Sequence, residues 1–202
     1  FTNGIDEEFI EAGARVRVPG PEHTPLTVLY AGNIGEGQGL HTIIPVLAKR
    51  MRGRVIFKLI GDGGRKAALQ VALQKAEADN VELLPPVERD WLIQAYQEAD
   101  VLFLHLNDYD AFKRVLPSKL FEYAAMGKPI WAGVSGYAAD FVKSEISNAA
   151  VFPPCDALEA QKAFSRLSLL NTPRTEFIDK FSRARVMQAM ADDLLSLTRG
   201  GT

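Results

Sequence analysis

Short apolar segments alternate with amphipathic segments along most of this chain, and that alternation restricts its fold more than any other feature. The apolar segments are rich in β-branched and aromatic residues and end at glycine, proline or a polar residue, as buried strands do. They cover residues 26–32, 54–60, 81–87, 100–106, 129–134 and 149–154. Because the segments between them have the apolar spacing of helices, the sequence predicts an α/β, Rossmann-like, doubly wound parallel sheet of about six strands.

The helices are predicted from apolar residues three, four and seven positions apart, as at Leu40, Ile43 and Leu47. By this pattern, helices cover residues 39–51, 65–78, 90–99, 138–146 and 156–170, and a last helix covers residues 174–197. One more helix begins near Pro117, because proline is tolerated in a first turn, and ends at Gly127.

Composition limits the classes of partner. The 202 residues carry a net charge of −2, which argues against nucleic acid or anionic lipid as the main partner. No apolar run approaches the roughly 18 residues that a membrane-spanning helix needs. The three histidines are not at metal-ligand spacing, so no metal site is predicted. We interpret His105 as a packed histidine, Cys155 as a small apolar residue, and Trp91 and Trp131 as core residues.

In a sheet of this kind, ligands bind at the carboxyl ends of the strands. The loops there are 32–39, 61–64, 85–90, 107–118 and 133–137. The first of them, GNIGEGQG, holds four glycines, which allow the backbone to approach a phosphate. It does not fit the dinucleotide-binding fingerprint, because Leu40 stands where the third glycine belongs. A plain tight turn between strand and helix is the alternative.

Glu122 is an acidic residue in a helix that is otherwise apolar, and an unpaired buried carboxylate costs several kcal/mol. One interpretation is a structural ion pair with Lys119 or Arg114. The other is that Glu122 faces the cleft and accepts hydrogen bonds from the hydroxyls of a ribose, as acidic residues do in dinucleotide-binding folds. Ser118 and Lys119 then lie beside the phosphates.

The segment YAGNIGEGQGL, followed later by LPSKLFEYAAMGKPI, resembles the C-terminal, donor-binding half of GT-B glycosyltransferases. The most similar group is the family-4 type that builds bacterial surface polysaccharides, including transferases of N-acetylated aminosugars. The opening FTNGID resembles the linker that leads into this half. The resemblance implies three parts: an interdomain linker over 1–24, a nucleotide-sugar-binding Rossmann-like domain over 25–172, and a C-terminal helix over 173–202 that docks on an absent N-terminal domain.

The same resemblance implies a retaining glycosyltransferase that uses a nucleotide sugar, a UDP-sugar, in surface polysaccharide or glycolipid synthesis. The glycan or lipid-linked acceptor is held mainly by the N-terminal domain, where most catalytic residues are expected, so this chain alone is expected to be inactive. It implies no metal or other cofactor and no nucleic acid. The expected location is the cytoplasm, at the inner face of the membrane, with peripheral association through the missing domain.

Site residues follow from the motif positions that match. In the resembling family the second glutamate of an E-x7-E motif binds the ribose, and Glu122 matches it. Arg114 stands where the first glutamate, which contacts the donor sugar, belongs, so that contact falls to Asp108 or Asp110 if their loop reaches. The catalytic residues of this chain stay unassigned.

The same resemblance implies which other positions bind the diphosphate and the base. The arginine and lysine that bind pyrophosphate in the family correspond to Asn33 and Gln38, which are neutral, so Lys119 and backbone N–H groups carry more of the charge. The remaining expected contacts are Gly35, Pro117 and Ser118 for the diphosphate, and Pro86, Val87 and Arg89 or Glu88 for the base.

Two alternatives stay open: a UDP-sugar epimerase with the same scaffold, and a non-catalytic module that binds a nucleotide. The last helix carries a separate expectation. Phe177, Phe181, Met187 and Leu194 lie near one stripe, which is expected to be partly exposed because this helix docks on the absent domain. Residues 1–13 have no apolar periodicity, and we interpret them as the start of a fragment.

Overall fold

A computed structural model describes residues 3–16 and 23–199 of the chain; the other parts of the predicted linker and C-terminal segment lie outside the described residues. Its strands are β1 Leu26–Ala31, β2 Val55–Ile60, β3 Val81–Leu84, β4 Val101–His105, β5 Ile130–Gly133 and β6 Ala149–Phe152. The helices are α1 Glu7–Ala14, α2 Leu40–Arg50, α3 Lys66–Lys75, α4 Arg89–Glu98, α5 Lys119–Ala125, α6 Gly136–Glu145, α7 Ala157–Arg166, α8 Thr175–Phe181 and α9 Arg183–Arg199. Two short 3₁₀ helices lie at Glu36–Gln38 and Asp110–Arg114.

The six strands form one sheet in the order β3-β2-β1-β4-β5-β6, and every neighbouring pair is parallel. Leu26 of β1 lies opposite Val55 of β2, and Val28 of β1 lies opposite Val101 of β4. The strand order therefore reverses between β1 and β4, which is the switch point where doubly wound sheets bind ligands. The predicted fold class is confirmed.

Each face of the sheet carries its own apolar core. On one face α2, α3 and α7 cover residues such as Phe57 and Trp131, and the Trp131 Nε1–H donates to the Ala160 carbonyl at 3.0 Å. On the other face the core includes Phe121 and Tyr123 of α5. Both faces are buried because the sheet is parallel and lies between two layers of helices.

Trp91 is not a core residue: 65% of it is exposed, so that prediction was wrong. It lies on α4, a helix of ten residues that packs on the sheet through Leu92, Ile93 and Tyr96. At 100° per residue Trp91 points away from that face. Trp91 was assigned to the core because it is large and apolar, but residue type alone does not indicate which side of a helix faces the sheet.

The N-terminal segment contains a helix that apolar periodicity did not indicate. Phe9 and Ala12 of α1 are buried, and the Phe9 ring lies 6.0 Å from that of Tyr96. Because α1 has eight residues, its buried face contains too few apolar positions to establish a period.

The C-terminal segment is not one helix but two, α8 and α9, separated at Ser182, which has an extended backbone (ψ 143°). The break allows Ile5 to pair with this point: the Ile5 N–H donates to the Phe181 carbonyl at 2.8 Å, and the Arg183 N–H donates to the Ile5 carbonyl at 2.9 Å. A continuous helix has no such groups free in its interior.

The predicted exposed stripe of the last helix is confirmed for α9 and wrong for α8. Met187 and Leu194 on α9 are 57% and 62% exposed, whereas Phe177 and Phe181 on α8 are buried against Phe121. None of the helices among residues 3–16 and 23–199 has the length and apolar character needed to cross a membrane.

Candidate functional site

A cleft of about 310 Å³ lies at the carboxyl ends of the strands, beside the switch point. Its lining residues come from the ends of β1 and β2, the loop after β3, and the first turns of α4 and α5. They are Ala31, Gly32, Asn33, Ile60, Gly61, Asp62, Pro86, Val87, Leu92 and Lys119. Four of the predicted binding residues therefore meet in one cavity: Asn33, Pro86, Val87 and Lys119.

Two glycines form the floor of the cleft. A Cβ on Gly61 would stand 1.9 Å from the Gly32 carbonyl oxygen, and a Cβ on Gly32 would stand 2.8 Å from Cε of Lys119. Both residues have φ near +146°, which other residues rarely adopt. The two loops therefore touch backbone to backbone, and the Lys119 side chain lies across Gly32.

Glu122 is half-buried, and the hydroxyl of Tyr96 donates to its Oε2 at 3.2 Å. Burial raises the pKa of this carboxyl, while the nearby charge of Lys119 and the Tyr96 hydrogen bond act in the opposite direction. Neither Lys119 nor Arg114 lies within ion-pair distance of it, so the predicted structural ion pair is not formed. Its other oxygen, Oε1, receives no hydrogen bond from the described residues and is available to a ligand.

Lys119 brings a cation to the cleft. Burial lowers its pKa, and the charge of Glu122 raises it. Its ammonium makes no hydrogen bond within the described part of the chain, although it can donate three. Ser118, just before α5, is exposed, and Pro117 is half-buried. A half-buried ammonium with unused donors favours an anionic ligand at this point of the cleft.

The glycine-rich loop is fixed by the side chain of Gln38. Its Oε1 accepts from Nδ2 of Asn33 at 3.1 Å and from the Gly35 N–H at 3.2 Å. Three predicted binding residues thus contact one another, but the Gly35 N–H that was expected to bind phosphate is already used. A phosphate oxygen reaches this N–H only by displacing Gln38 Oε1.

His105 supports the same loop from below and is buried, as predicted. Its Nδ1 lies 2.7 Å from the Gln38 carbonyl oxygen, and the Cys155 N–H donates to its Nε2 at 2.9 Å. This pattern requires a neutral ring with the proton on Nδ1. Burial accordingly lowers the pKa of His105 to about 4.

Cys155 is exposed, contrary to its interpretation as a small apolar residue, and its Sγ lies 3.3 Å from Oδ1 of Asn107. Its backbone has φ +60° because the loop after β6 turns sharply to meet His105. Within residues 3–16 and 23–199, no group of three or more histidine, cysteine, aspartate or glutamate residues is placed to hold a metal ion.

The loop after β4 is joined to the glycine-rich loop through Glu36, which sequence reasoning missed. The Tyr109 hydroxyl donates to Glu36 Oε1 at 2.5 Å, and Nδ2 of Asn107 donates to the Glu36 carbonyl at 2.9 Å. Arg65 holds the other carboxylate oxygen. These contacts, like that of Tyr96 with Glu122, join residues distant in sequence, so no local pattern indicated them.

The two aspartates of this loop were considered as substitutes for the missing first glutamate. Asp110 is paired with Lys113 at 2.7 Å, and Asp108 is exposed. Neither lines the cleft. Arg114 ends the 3₁₀ helix of the loop, and its side chain is exposed.

Arg89, expected to discriminate the base, is directed elsewhere. Its guanidinium pairs with Asp6 and Glu8 and lies 5.0 Å from the centre of the Phe9 ring. The hydrogen bond with Asp6 is the largest cause of the raised pKa of Arg89. Glu88 precedes α4 and is exposed. Of the residues predicted to contact the base, Pro86 and Val87 line the cleft, whereas Arg89 and Glu88 do not.

Comparison with known proteins identifies the family and the fold. The sequence profile of the family described as glycosyl transferases group 1 matches residues 15–183. WcaI of Escherichia coli strain K12, named for a glycosyl transferase role in colanic acid biosynthesis, is 38% identical over 101 residues, which are 50% of this chain and 24% of WcaI.

Solved glycosyltransferase structures have the same fold. HepE of Anabaena, in complex with UDP and glucose, matches with a TM-score of 0.72 and 19% identity over 96% of this chain and 55% of its own. The lipopolysaccharide outer core galactosyltransferase WaaB, in its apo form, matches with a TM-score of 0.68 and 17% identity over 96% of this chain and 54% of its own.

This chain thus spans about half of the length of each of these structures. At such identities the likeness shows the fold, which is one Rossmann-like half of the GT-B architecture. The profile match covers most of the chain. The chain therefore belongs to the glycosyl transferases group 1 family.

Proposed function

We propose that this chain binds the nucleotide sugar, a UDP-sugar, for a retaining glycosyltransferase of surface polysaccharide or glycolipid synthesis. Family membership supports the activity, and the colanic acid role in the name of WcaI supports the kind of product. HepE, which was solved with UDP and glucose, supports the kind of donor. A further domain would hold the glycan or lipid-linked acceptor, at the inner, cytoplasmic face of the membrane.

The observation that carries this proposal is the combination of groups in and beside one cleft. Pro86, Val87 and Leu92 supply an apolar wall suited to a base. Glu122 is not among the lining residues, but it follows the lining residue Lys119 by three positions on α5, and it has a carboxylate oxygen without a protein partner in the described chain, which suits a ribose diol. Lys119 supplies a cation suited to a phosphate. Base, ribose and diphosphate are the three parts of a nucleoside diphosphate.

The transfer breaks the bond between the anomeric carbon of the sugar and the oxygen of the terminal phosphate, and it forms a bond between that carbon and a hydroxyl oxygen of the acceptor, whose proton leaves with the diphosphate. The departing nucleoside diphosphate gains negative charge, and fixed donors that face this charge lower the barrier. Lys119 serves this purpose here, together with the Gly35 N–H once Gln38 Oε1 has moved aside. Glu122 holds the ribose and so sets the position of the diphosphate.

Calorimetric titration of the 202-residue chain with UDP, GDP, ADP and TDP tests the proposal. We expect UDP to bind most tightly. A chain that binds none of the four nucleotides would contradict the proposal. Tighter binding of GDP, ADP or TDP than of UDP would show that the base of the donor is not uracil. The epimerase alternative predicts release of free UDP from a UDP-sugar without acceptor. The non-catalytic alternative predicts nucleotide binding but no turnover even when the chain is joined to an N-terminal domain and an acceptor is present.

A further inference from the structure

The cations at the carboxyl edge of the sheet differ in whether a carboxylate already neutralises them. In the described loops after β1 to β5, and in the first turns of the helices that follow, the paired cations are Arg65 with Glu36, Lys66 with Asp62, Arg89 with Asp6 and Glu8, and Lys113 with Asp110. Lys119 has Glu122 as its electrostatic partner. Arg114 is the exception, since no carboxylate of the described chain pairs with it.

A nucleoside diphosphate therefore meets a cleft with little free positive charge. Lys119 is shared with Glu122, and burial lowers its pKa, so it neutralises the diphosphate only in part. The loop beside it contributes the neutral side chains of Asn33 and Gln38. Two adjacent phosphates carry more than one negative charge, so a second cation is needed near the same point.

The backbone next to Arg114 is fixed beside the glycine-rich loop. The Asn107 N–H donates to the Gly37 carbonyl at 2.8 Å. The Phe112 ring packs so closely on Gly37 that a Cβ on this glycine would stand 2.8 Å from it. On the other side, a Cβ on Gly136 would stand 2.4 Å from the Lys113 carbonyl oxygen. The 3₁₀ helix that ends at Arg114 is thus held between the glycine-rich loop and the start of α6.

Arg114 also lies close to the cleft along the chain. Three residues separate it from Ser118, and the four residue steps of extended chain span at most about 14 Å. The arginine side chain is long, and its planar fork of donors matches phosphate oxygens. Its guanidinium is exposed and unpaired within the described residues, so it moves to a ligand without breaking an ion pair.

We propose that Arg114 binds the terminal phosphate of the donor and stabilises the departing diphosphate, in place of the cations missing at positions 33 and 38. This inference rests on the proposed function and names the residue that completes its phosphate site. Arg114 contacts the phosphate oxygens through two parallel N–H donors, and no proton is transferred. Its role begins at the second phosphate, beyond the reach of a nucleoside.

Titration of UDP, UMP and uridine against the wild-type chain and Arg114→Ala tests this proposal. We expect Arg114→Ala to weaken UDP binding about tenfold, as for one charge-assisted contact at an exposed site, with almost no loss for UMP, which lacks the second phosphate, and none for uridine. Arg114→Lys should retain part of the affinity for UDP. Added KCl should weaken UDP binding more in the wild type than in Arg114→Ala.

Lys113→Ala is the matched control, because it removes the neighbouring cation, which Asp110 already pairs, and it should leave all three affinities unchanged. Equal UDP affinity of Arg114→Ala and the wild type, or an equal loss for all three ligands, would overturn the proposal. Titration with two UDP-sugars adds a further test. If Arg114→Ala weakens binding of UDP-glucuronate but not of UDP-glucose, the proposal is overturned and Arg114 is assigned to a carboxylate on the sugar. Wild-type chain that binds no UDP would instead refute the proposed function itself.

Discussion

Glu122 is held in a way that leaves it free for a ligand and is costly without one. Tyr96 donates to Oε2, and no described residue donates to Oε1. A ligand that bonds to Oε1 would offset the cost of burying this carboxylate, a cost that an exposed glutamate does not have. A buried carboxylate retained without a full set of partners is typical of a binding site.

Glu122→Gln should weaken binding of UDP by about 1.5 to 3 kcal/mol, the range for a hydrogen bond to a charged group. The loss should largely vanish for the 2′,3′-dideoxy form, which has no hydroxyls to donate. Calorimetry of both proteins with both ligands closes a double-mutant cycle. Glu98→Gln, an exposed glutamate at the far end of α4, serves as control. Equal losses for the two ligands would show that Glu122 does not bind the ribose.

The same substitution should raise the melting temperature of the ligand-free chain at pH 7. Burial raises the folded-state pKa of Glu122 above 4.5, so its favourable contribution to stability exists at low pH and is lost as pH rises through the raised pKa. Glutamine carries no charge and avoids this cost. The gain should disappear near pH 4 in a thermal scan. A lower melting temperature at pH 7 would indicate a structural partner for the carboxylate.

His105 should make stability depend on pH in the opposite direction. Its pKa is lowered from 6.5 to about 4, so its contribution is present above pH 6.5 and is lost as pH falls towards 4. That contribution amounts to about 3 kcal/mol at 1.36 kcal/mol per pKa unit. Urea unfolding at several pH values should show this part of the slope in the wild type and not in His105→Gln. Identical slopes in the two proteins would rule out the buried neutral ring.

At the scale of elements, α8 and α9 differ in what they contact although they are adjacent in sequence. Phe177 and Phe181 of α8 belong to the apolar core beneath α5, whereas Met187 and Leu194 of α9 are exposed. Local unfolding is easiest where few apolar contacts must be broken. The two helices should therefore open independently.

Amide hydrogen exchange should separate the two helices, with residues 185–196 exchanging faster than residues 176–181. The difference follows from burial, because a helix without a packed face frays. If α9 docks on a further domain, as the family resemblance implies, joining that domain to the chain should slow exchange over 185–196 alone. Protection of 185–196 equal to that of β4 in the isolated chain would contradict this view.

Sequence predicted the strands well because each lies in a short segment of mostly apolar residues that ends at glycine, proline or a polar residue; Lys58 in β2 and Glu82 in β3 are the charged exceptions. It placed Lys119 and Val87 near one another, and both line the cleft, because their motifs lie at the carboxyl ends of strands. The binding roles of Lys119, Val87 and Glu122 stay predictions. It did not predict the break at Ser182, whose cause is pairing with Ile5 at the opposite end of the chain. It also did not predict that Gln38 occupies the Gly35 N–H, since that contact depends on one side-chain rotamer.

At the scale of the whole molecule, the cleft has one wall. Its lining residues come from strand ends, the loops that follow them and the first turns of α4 and α5, all on one side of the cleft, and an acceptor has only this surface of the described chain to bind. The 202-residue chain alone should therefore bind UDP but transfer no sugar. Transfer to a glycan acceptor by the isolated chain, above a control without enzyme, would contradict this expectation.

The pairing of Ile5 with Ser182 has a mechanical consequence. Backbone hydrogen bonds join Ile5 to the junction of α8 and α9 at Ser182, outside the sheet, while Asp6 contacts both Arg89 and Arg183. Tension applied to either segment is therefore shared with the other through these bonds before it reaches the strands.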